Sequence, residues 1–160
     1  MNQAFLLIGG NMGNRLANLK AAREAIQARV GTIAAASALY ETAALGLQEQ
    51  PPFLNQALQV QTFSKPHALL QALLQVEQSL GRIREKKYGP RLIDIDILLY
   101  GDLVLDTPDL TIPHPEIQNR RFALTCLADI AAGVVHPLFQ KTILQLLHEC
   151  ADPLAVHKFS

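Results

Sequence analysis

The chain has 160 residues, 49% hydrophobic and 18% charged, which is enough apolar mass for one sizeable core and is read as a single domain over residues 1–160. Lys and Arg total 14 and Asp and Glu total 14, so no global field draws the protein to nucleic acid or to an anionic membrane. Only Cys126 and Cys150 occur, without metal-type spacing, which argues against a disulfide framework or a zinc site and for two packing thiols in a reducing cytoplasm.

The opening MNQAFLLIGGN has no basic start, and its apolar run is too short for a signal peptide or a membrane span. The expectation is a cytoplasmic protein with no membrane partner, no nucleic acid and no obligatory protein partner. Ala4 to Ile8 reads as a buried strand that breaks at Gly9-Gly10-Asn11. Leu19, Ile26 and Val30 recur at helical spacing from Leu16, with Asn14 as N-cap and Gly31 placed to end the helix. Ile33 to Tyr40 is expected to be a second strand, and Thr42 to Pro52 an irregular loop. In Phe53 to Phe63, Leu54, Leu58 and Val60 share one parity while Phe53, Asn55 and Ala57 share the other, giving a strand with two different faces.

Ser64-Lys65-Pro66 has the chemistry of a helix start, and Leu69, Leu73, Val76 and Leu80 carry an apolar stripe as far as Gly81. The basic connection Arg82 to Arg91 leads into a further strand. Short strands at Leu103 to Leu105 and Leu110 to Ile112 precede Pro113-His114-Pro115, and Phe122 to Ala132 and Lys141 to Cys150 read as closing helices. The order strand, helix, strand, strand, helix, strand predicts an α+β fold: a ferredoxin-like βαββαβ sandwich with extra C-terminal helices.

The strand after the basic connection is the unusual one. In YGPRLIDIDILLY, Ile93, Ile95, Ile97 and Leu99 are expected on one face and Asp94 and Asp96 on the other. Asp is depleted in strands, and carboxylates about 6.6 Å apart repel unless a cation or water meets them. Arg82, Arg84, Lys86, Lys87 and Arg91 precede them, so an anion-binding loop adjoins a cation-binding face. Magnesium takes one or two carboxylates plus substrate phosphates, and arginine offers bidentate donors to phosphate, so together they describe a site for a magnesium-bound polyphosphate. His114, held between two prolines, is followed by a second cationic cluster, Asn119, Arg120 and Arg121. His67, His136, His148 and His157 read as ordinary. No GxGxxG or GxxxxGK[ST] pattern is present, so neither a Rossmann nor a P-loop site is supported.

The run Tyr88-Gly-Pro-Arg-Leu-Ile-Asp-Ile-Asp-Ile-Leu-Leu resembles the signature of the 6-hydroxymethyl-7,8-dihydropterin pyrophosphokinase family of folate biosynthesis. The resemblance extends to Ile8-Gly-Gly-Asn11, Tyr40 to Gly46, Gln50 to Asn55, Gly81-Arg82, Ile112-Pro-His-Pro, Asn119-Arg120 and Phe122. It implies an ATP- and magnesium-dependent diphosphokinase, a transferase that moves pyrophosphate from ATP to the pterin alcohol with AMP as leaving group. Asp94 and Asp96 would hold two magnesium ions. Arg82 and Arg91 would close over the phosphates, with Arg84 assisting. Glu77, His114 and Arg120 match nucleotide contacts, with Ile97 and Thr111 nearby. Phe53 and Phe122 would sandwich the pterin, Asn55 would bond its edge, and Thr42 and Leu45 would complete the pocket.

Some positions depart from the family's pattern. Phe53 stands where Tyr is common and Tyr88 where Trp is frequent. Leu74 and Asp109 replace polar and basic nucleotide contacts of some members, and Pro115 follows His114 where an aromatic can occur. Two other classes of function compete: a different magnesium-dependent Asp-x-Asp nucleotide transferase, which would give another leaving group, and a non-catalytic ferredoxin-like binding module, for example one for RNA. The module should show a basic sheet face with exposed aromatics, whereas the key face here is acidic.

Overall fold

The computed structural model describes residues 1–43, 50–81 and 92–159. In chain order its elements are β1 (Asn2–Gly10), α1 (Arg15–Arg29), β2 (Thr32–Ala36), β3 (Tyr40–Thr42), β4 (Phe53–Thr62), α2 (Pro66–Ser79), β5 (Asp94–Tyr100), β6 (Leu105–Asp106), β7 (Thr111–Ile112), a 3₁₀ turn (Ile117–Asn119), α3 (Arg121–Ala131), α4 (Ile143–Glu149) and β8 (Val156–Lys158). The main sheet runs β5-β1-β4-β3-β8, with β2 also paired to β4, and every pairing in it is antiparallel.

β1 is a continuous apolar run because both of its faces are covered. Ala4, Leu6 and Ile8 meet Leu19, Ala22 and Ile26 of α1 and Leu69, Leu73 and Val76 of α2. Phe5 and Leu7 meet Ala123, Leu124 and Leu127 of α3 and Ile143 and Leu146 of α4. Each such side chain, fully withdrawn from water, contributes roughly 1.5–3 kcal/mol before chain entropy is charged against it. Cys126 and Cys150 are free thiols buried in the second core, as their isolation in sequence predicts.

Local chemistry sets the helix ends. Asn14 Oδ1 accepts the Ala17 amide at 3.1 Å, Pro66 opens α2, and Thr142 with Gln145 forms a capping box on α4. Gly31 has a reason beyond ending α1: a Cβ there would lie 2.3 Å from the Gln61 carbonyl oxygen of β4. Among the described residues no helix is long and apolar enough to cross a membrane.

Three features differ from the sequence reading. The strand expected over Ile33 to Tyr40 is broken into β2 and β3 around Ser37. There the Ser37 hydroxyl accepts the Ala57 amide at 2.9 Å, while the Ser37 amide donates to the Ala57 carbonyl at 2.9 Å. A side chain thus occupies a ladder position and the strand restarts at Tyr40. The restarted segment pairs on its far edge with β8, a strand whose three residues carry no pattern of their own.

The third difference lies in β5. Phe5 faces Leu99 while Leu6 faces Ile97, so Leu98 is an inserted bulge residue. Leu98 and Leu99 therefore both join the α3/α4 core, and Tyr100 returns to the α1/α2 side, instead of Leu99 following Ile93, Ile95 and Ile97. Asp94 and Asp96 precede the bulge and keep a common face. Ser37→Ala should strip the buried Ala57 amide of its acceptor and cost about 1–3 kcal/mol. A urea-unfolding midpoint equal to that of the wild type would contradict this account of the strand break.

Candidate active site

Strand register assembles the site at one end of the α3/α4 face. Asp94 of β5 stands opposite Gly9 of β1, Gly9 opposite Asn55 of β4, and Asn55 opposite Tyr40 of β3. Directly opposed residues on neighbouring strands point to the same side, so Asp94 and Asn55 share a face across β1, about 10 Å apart at two strand spacings. Asp96 lies in the next row on that face, opposite Leu7, and Phe53 is paired to Thr42 at the sheet's end.

Gly9 keeps this row open. A Cβ at position 9 would sit 2.5 Å from Asn55 Oδ1, so the missing side chain is the space into which the Asn55 carboxamide turns. Asn55 is 4% exposed, and its Nδ2 has no hydrogen-bond partner among the described residues. A buried amide donor without an acceptor is costly, and such donors mark places where a ligand supplies the acceptor.

Asn11 and Arg15, to which the sequence reading gave no role, position the approach to Phe53. Asn11 Nδ2 donates to Gln50 Oε1 at 3.1 Å and to the Pro51 carbonyl at 3.0 Å. Arg15 donates to the Pro52 carbonyl at 3.1 Å and to Glu41 Oε2 at 2.6 Å. Two prolines in a row offer acceptors and no amides, so side chains from β1's end and α1's first turn hold this segment. The hint in the sequence was the Pro-Pro pair directly before a strand.

Phe122 is set by the anchoring of α3. The Arg121 amide donates to Asp152 Oδ2 at 3.0 Å, and the Arg121 side chain donates to the Asp152 and Cys150 carbonyls at 3.1 and 2.7 Å. Arg121 is thereby a structural clamp and not part of a ligand-facing cationic cluster. Further along α3, Asp129 accepts from the Tyr40 hydroxyl at 2.9 Å and from the Ala38 amide at 3.1 Å. Burial, and then the Asp129 bond, push the Tyr40 phenol up to about 12. Phe122, half-buried, packs against the same core that lies beneath Asp96.

Comparison with known proteins shows the family. Residues 5–132 match the family described as 7,8-dihydro-6-hydroxymethylpterin-pyrophosphokinase. The chain belongs to that family. A Synechocystis 2-amino-4-hydroxy-6-hydroxymethyldihydropteridine pyrophosphokinase is 41% identical over 91% of this chain and 75% of its own length. The Haemophilus influenzae protein of the same name is 35% identical over 95% of both chains. In fold the chain resembles a Plasmodium falciparum HPPK-DHPS structure, with a TM-score of 0.74 at 19% identity, covering 93% of this chain and 43% of that one.

Against the pyrophosphokinase pattern, the structure brings Asp94, Asp96, Asn55, Phe53 and Phe122 to one sheet face. Thr42 is buried at the same end, its hydroxyl 3.4 Å from the Ala155 carbonyl. Ile97 points to the opposite, α1/α2 side, so only its backbone is open to a ligand on the aspartate face. The His114 amide donates to the Leu98 carbonyl at 2.9 Å, which seats the Pro-His-Pro loop on β5, and Thr111 lies just before it in β7. Glu77 is buried, with Oε2 accepting the Ile95 amide at 2.6 Å. Asp109 is exposed and lies 3.2 Å from His67 Nε2, giving His67 a partner the sequence did not suggest. Arg82, Arg84, Arg91, Tyr88 and Leu45 lie outside the described residues.

The donor set suits magnesium. Asp94 and Asp96 are half-buried and offer only oxygen, and among the described residues no group of three or more His, Cys, Asp or Glu forms a protein cage. A hard cation that keeps its waters and takes phosphate oxygens needs no more than this.

His114 has a defined protonation state. Its Nδ1 accepts the Glu116 amide at 3.1 Å, so the neutral ring carries its proton on Nε2. Burial, reinforced by the Arg120 charge, lowers its pKa to about 4. Because the folded value lies below the ordinary 6.5, the stability linked to neutral His114 is complete above pH 6.5 and is lost as pH falls toward 4. An NMR titration should place the His114 midpoint near 4; a midpoint at 6.5 would contradict the burial and the Nδ1 bond. Gly9→Ala should displace the Asn55 carboxamide, read as shifted side-chain amide resonances, with about 1–3 kcal/mol lost from crowding. Unshifted resonances would mean that Gly9 does not make the space.

Proposed function

We propose that this chain transfers the pyrophosphoryl group of ATP to 6-hydroxymethyl-7,8-dihydropterin, giving AMP and the pterin diphosphate, a step of folate biosynthesis. The observation that carries the reading is the row Asp94–Gly9–Asn55 with Asp96 in the next row: a carboxylate pair and a buried amide without a partner among the described residues share one face in a pyrophosphokinase-family chain. The strand order and the α1/α2 layer support a ferredoxin-like sandwich, to which α3 and α4 add a second helical layer.

Asn55 Nδ2 donates to an acceptor on the pterin edge, and Phe53 and Phe122 stack on the ring's two faces. Thr42 and Leu45 close the pocket with backbone groups. The hydroxymethyl group then points along the row toward Asp94. On the nucleotide side, neutral His114 donates from Nε2, Arg120 supplies a cation, Thr111 and the Ile97 backbone lie alongside, and Arg82, Arg84 and Arg91 meet phosphate oxygens. Asp94 and Asp96 would hold two magnesium ions, which when bound neutralise the polyphosphate charge. The pterin oxygen is itself the nucleophile, so the chain's residues contribute alignment and a fixed field in place of a covalent intermediate.

The test is product analysis with ATP, magnesium and the pterin alcohol, separating AMP from ADP. AMP that appears only with pterin, matched by pterin diphosphate, is expected. ADP would indicate ordinary phosphoryl transfer, and no product from folded protein would favour a different acceptor. Asp96→Ala is expected to lower turnover by roughly 10²–10³-fold, as loss of several kcal/mol of metal-borne charge stabilisation requires, with the fold retained. Near-normal turnover with saturating magnesium would remove Asp96 from the metal site.

A further inference from the structure

We infer that Glu77 is a positioning residue for the aspartate strand, holding Asp94 and Asp96 at a fixed separation through the backbone amide between them. Glu77 sits on the inward stripe of α2 with Leu69, Leu73 and Val76 and is 2% exposed. Its Oε2 accepts the Ile95 amide at 2.6 Å. Ile95 is the residue between the two aspartates, and its side chain is buried on the α2 side of the sheet.

The location of that bond gives it its role. β5 ends the order of the main sheet, and among the described residues β1 is its one neighbouring strand there, while the His114 amide holds its far end at the Leu98 carbonyl. Alternate amides of such an edge strand point away from its partner and have no ladder acceptor. A carboxylate brought from α2 to one of those amides attaches the aspartate end of β5, which the Leu98–His114 bond farther along does not reach. That attachment lies midway between the side chains that would hold metal. A buried carboxylate needs strong hydrogen bonds to justify its desolvation, and a short bond to a backbone amide is one of them. Glu77 therefore belongs to the frame behind the site, and its influence on nucleotide passes through Asp94 and Asp96. This inference rests on the reading that those two residues bind metal.

Three variants of the full chain, Glu77→Leu, Glu77→Gln and Asp96→Asn, would be compared by two measurements. Mn2+ affinity is read by EPR in the presence of a non-hydrolysable ATP analogue, and Ile95 amide exchange is read by NMR. Glu77→Leu should speed Ile95 exchange and weaken Mn2+ roughly tenfold, the usual scale for losing a group that orients metal ligands. Glu77→Gln keeps a carbonyl acceptor and should stay near wild type in both. Faster Ile95 exchange with unchanged Mn2+ affinity in Glu77→Leu would overturn the inference. So would a Glu77→Gln protein that binds Mn2+ roughly tenfold more weakly than the wild type, since charge and not strand position would then be decisive; this arm stands even if Glu77→Leu does not fold. Asp96→Asn with unchanged Mn2+ affinity would instead sink the metal reading itself, a separate failure visible in a chain with Glu77 intact.

Discussion

Strand register is the constraint on which the site depends. Side chains alternate with a period of two, so a slip of one residue between β1 and β5 would turn Asp94 and Asp96 into the α1/α2 core and bring Ile95 and Ile97 out. Burying two carboxylates among Leu6, Ile8 and Val76 is far costlier than any local gain from a shifted pairing. The apolar residues of β5 thus fix where its polar ones point. The bulge at Leu98 preserves this arrangement: the reversal of faces comes after Asp96, where both sides of the strand are apolar and either orientation is acceptable.

The core sets the faces, and polar clamps set the rim. Asn11 and Arg15 hold the Pro51-Pro52 carbonyls, Asp152 caps the start of α3 from a distant segment, and Asp129 ties the same helix to β3. Each acts on backbone or on a neighbouring phenol, and each lies next to an aromatic or amide proposed to touch substrate. A site assembled at strand ends has little core beneath it, so hydrogen bonds between segments far apart in sequence do the positioning there. Glu77 extends the same logic to the outer strand.

Much of this was legible in the sequence because the signals were local. The alternation in Phe53 to Phe63 placed Asn55 and Leu54 on opposite faces, Lys65-Pro66 marked the start of α2, and the Asp-x-Asp spacing put both acids on one side. The parts that were not legible depend on partners. The break at Ser37 arises from a hydroxyl meeting the Ala57 amide across two strands, and β8 exists only because β3 leaves an edge open. The displacement of Leu99 comes from a bulge relative to β1, and the inward turn of Arg121 from Asp152 and Cys150. The family resemblance supplied Asn55 and Phe122 as ligand contacts, whereas the reason Asn55 can reach the site, the absent side chain of Gly9, required the register.

The most direct measurement is a crystal structure of the chain with magnesium, a non-hydrolysable ATP analogue and 6-hydroxymethylpterin. The expected result has the pterin ring between Phe53 and Phe122, Asn55 Nδ2 donating to its edge, and metal on Asp94 and Asp96 beside the phosphates. A pterin bound away from Asn55, or metal held without either aspartate, would contradict the assignment of this sheet face as the site of pyrophosphoryl transfer.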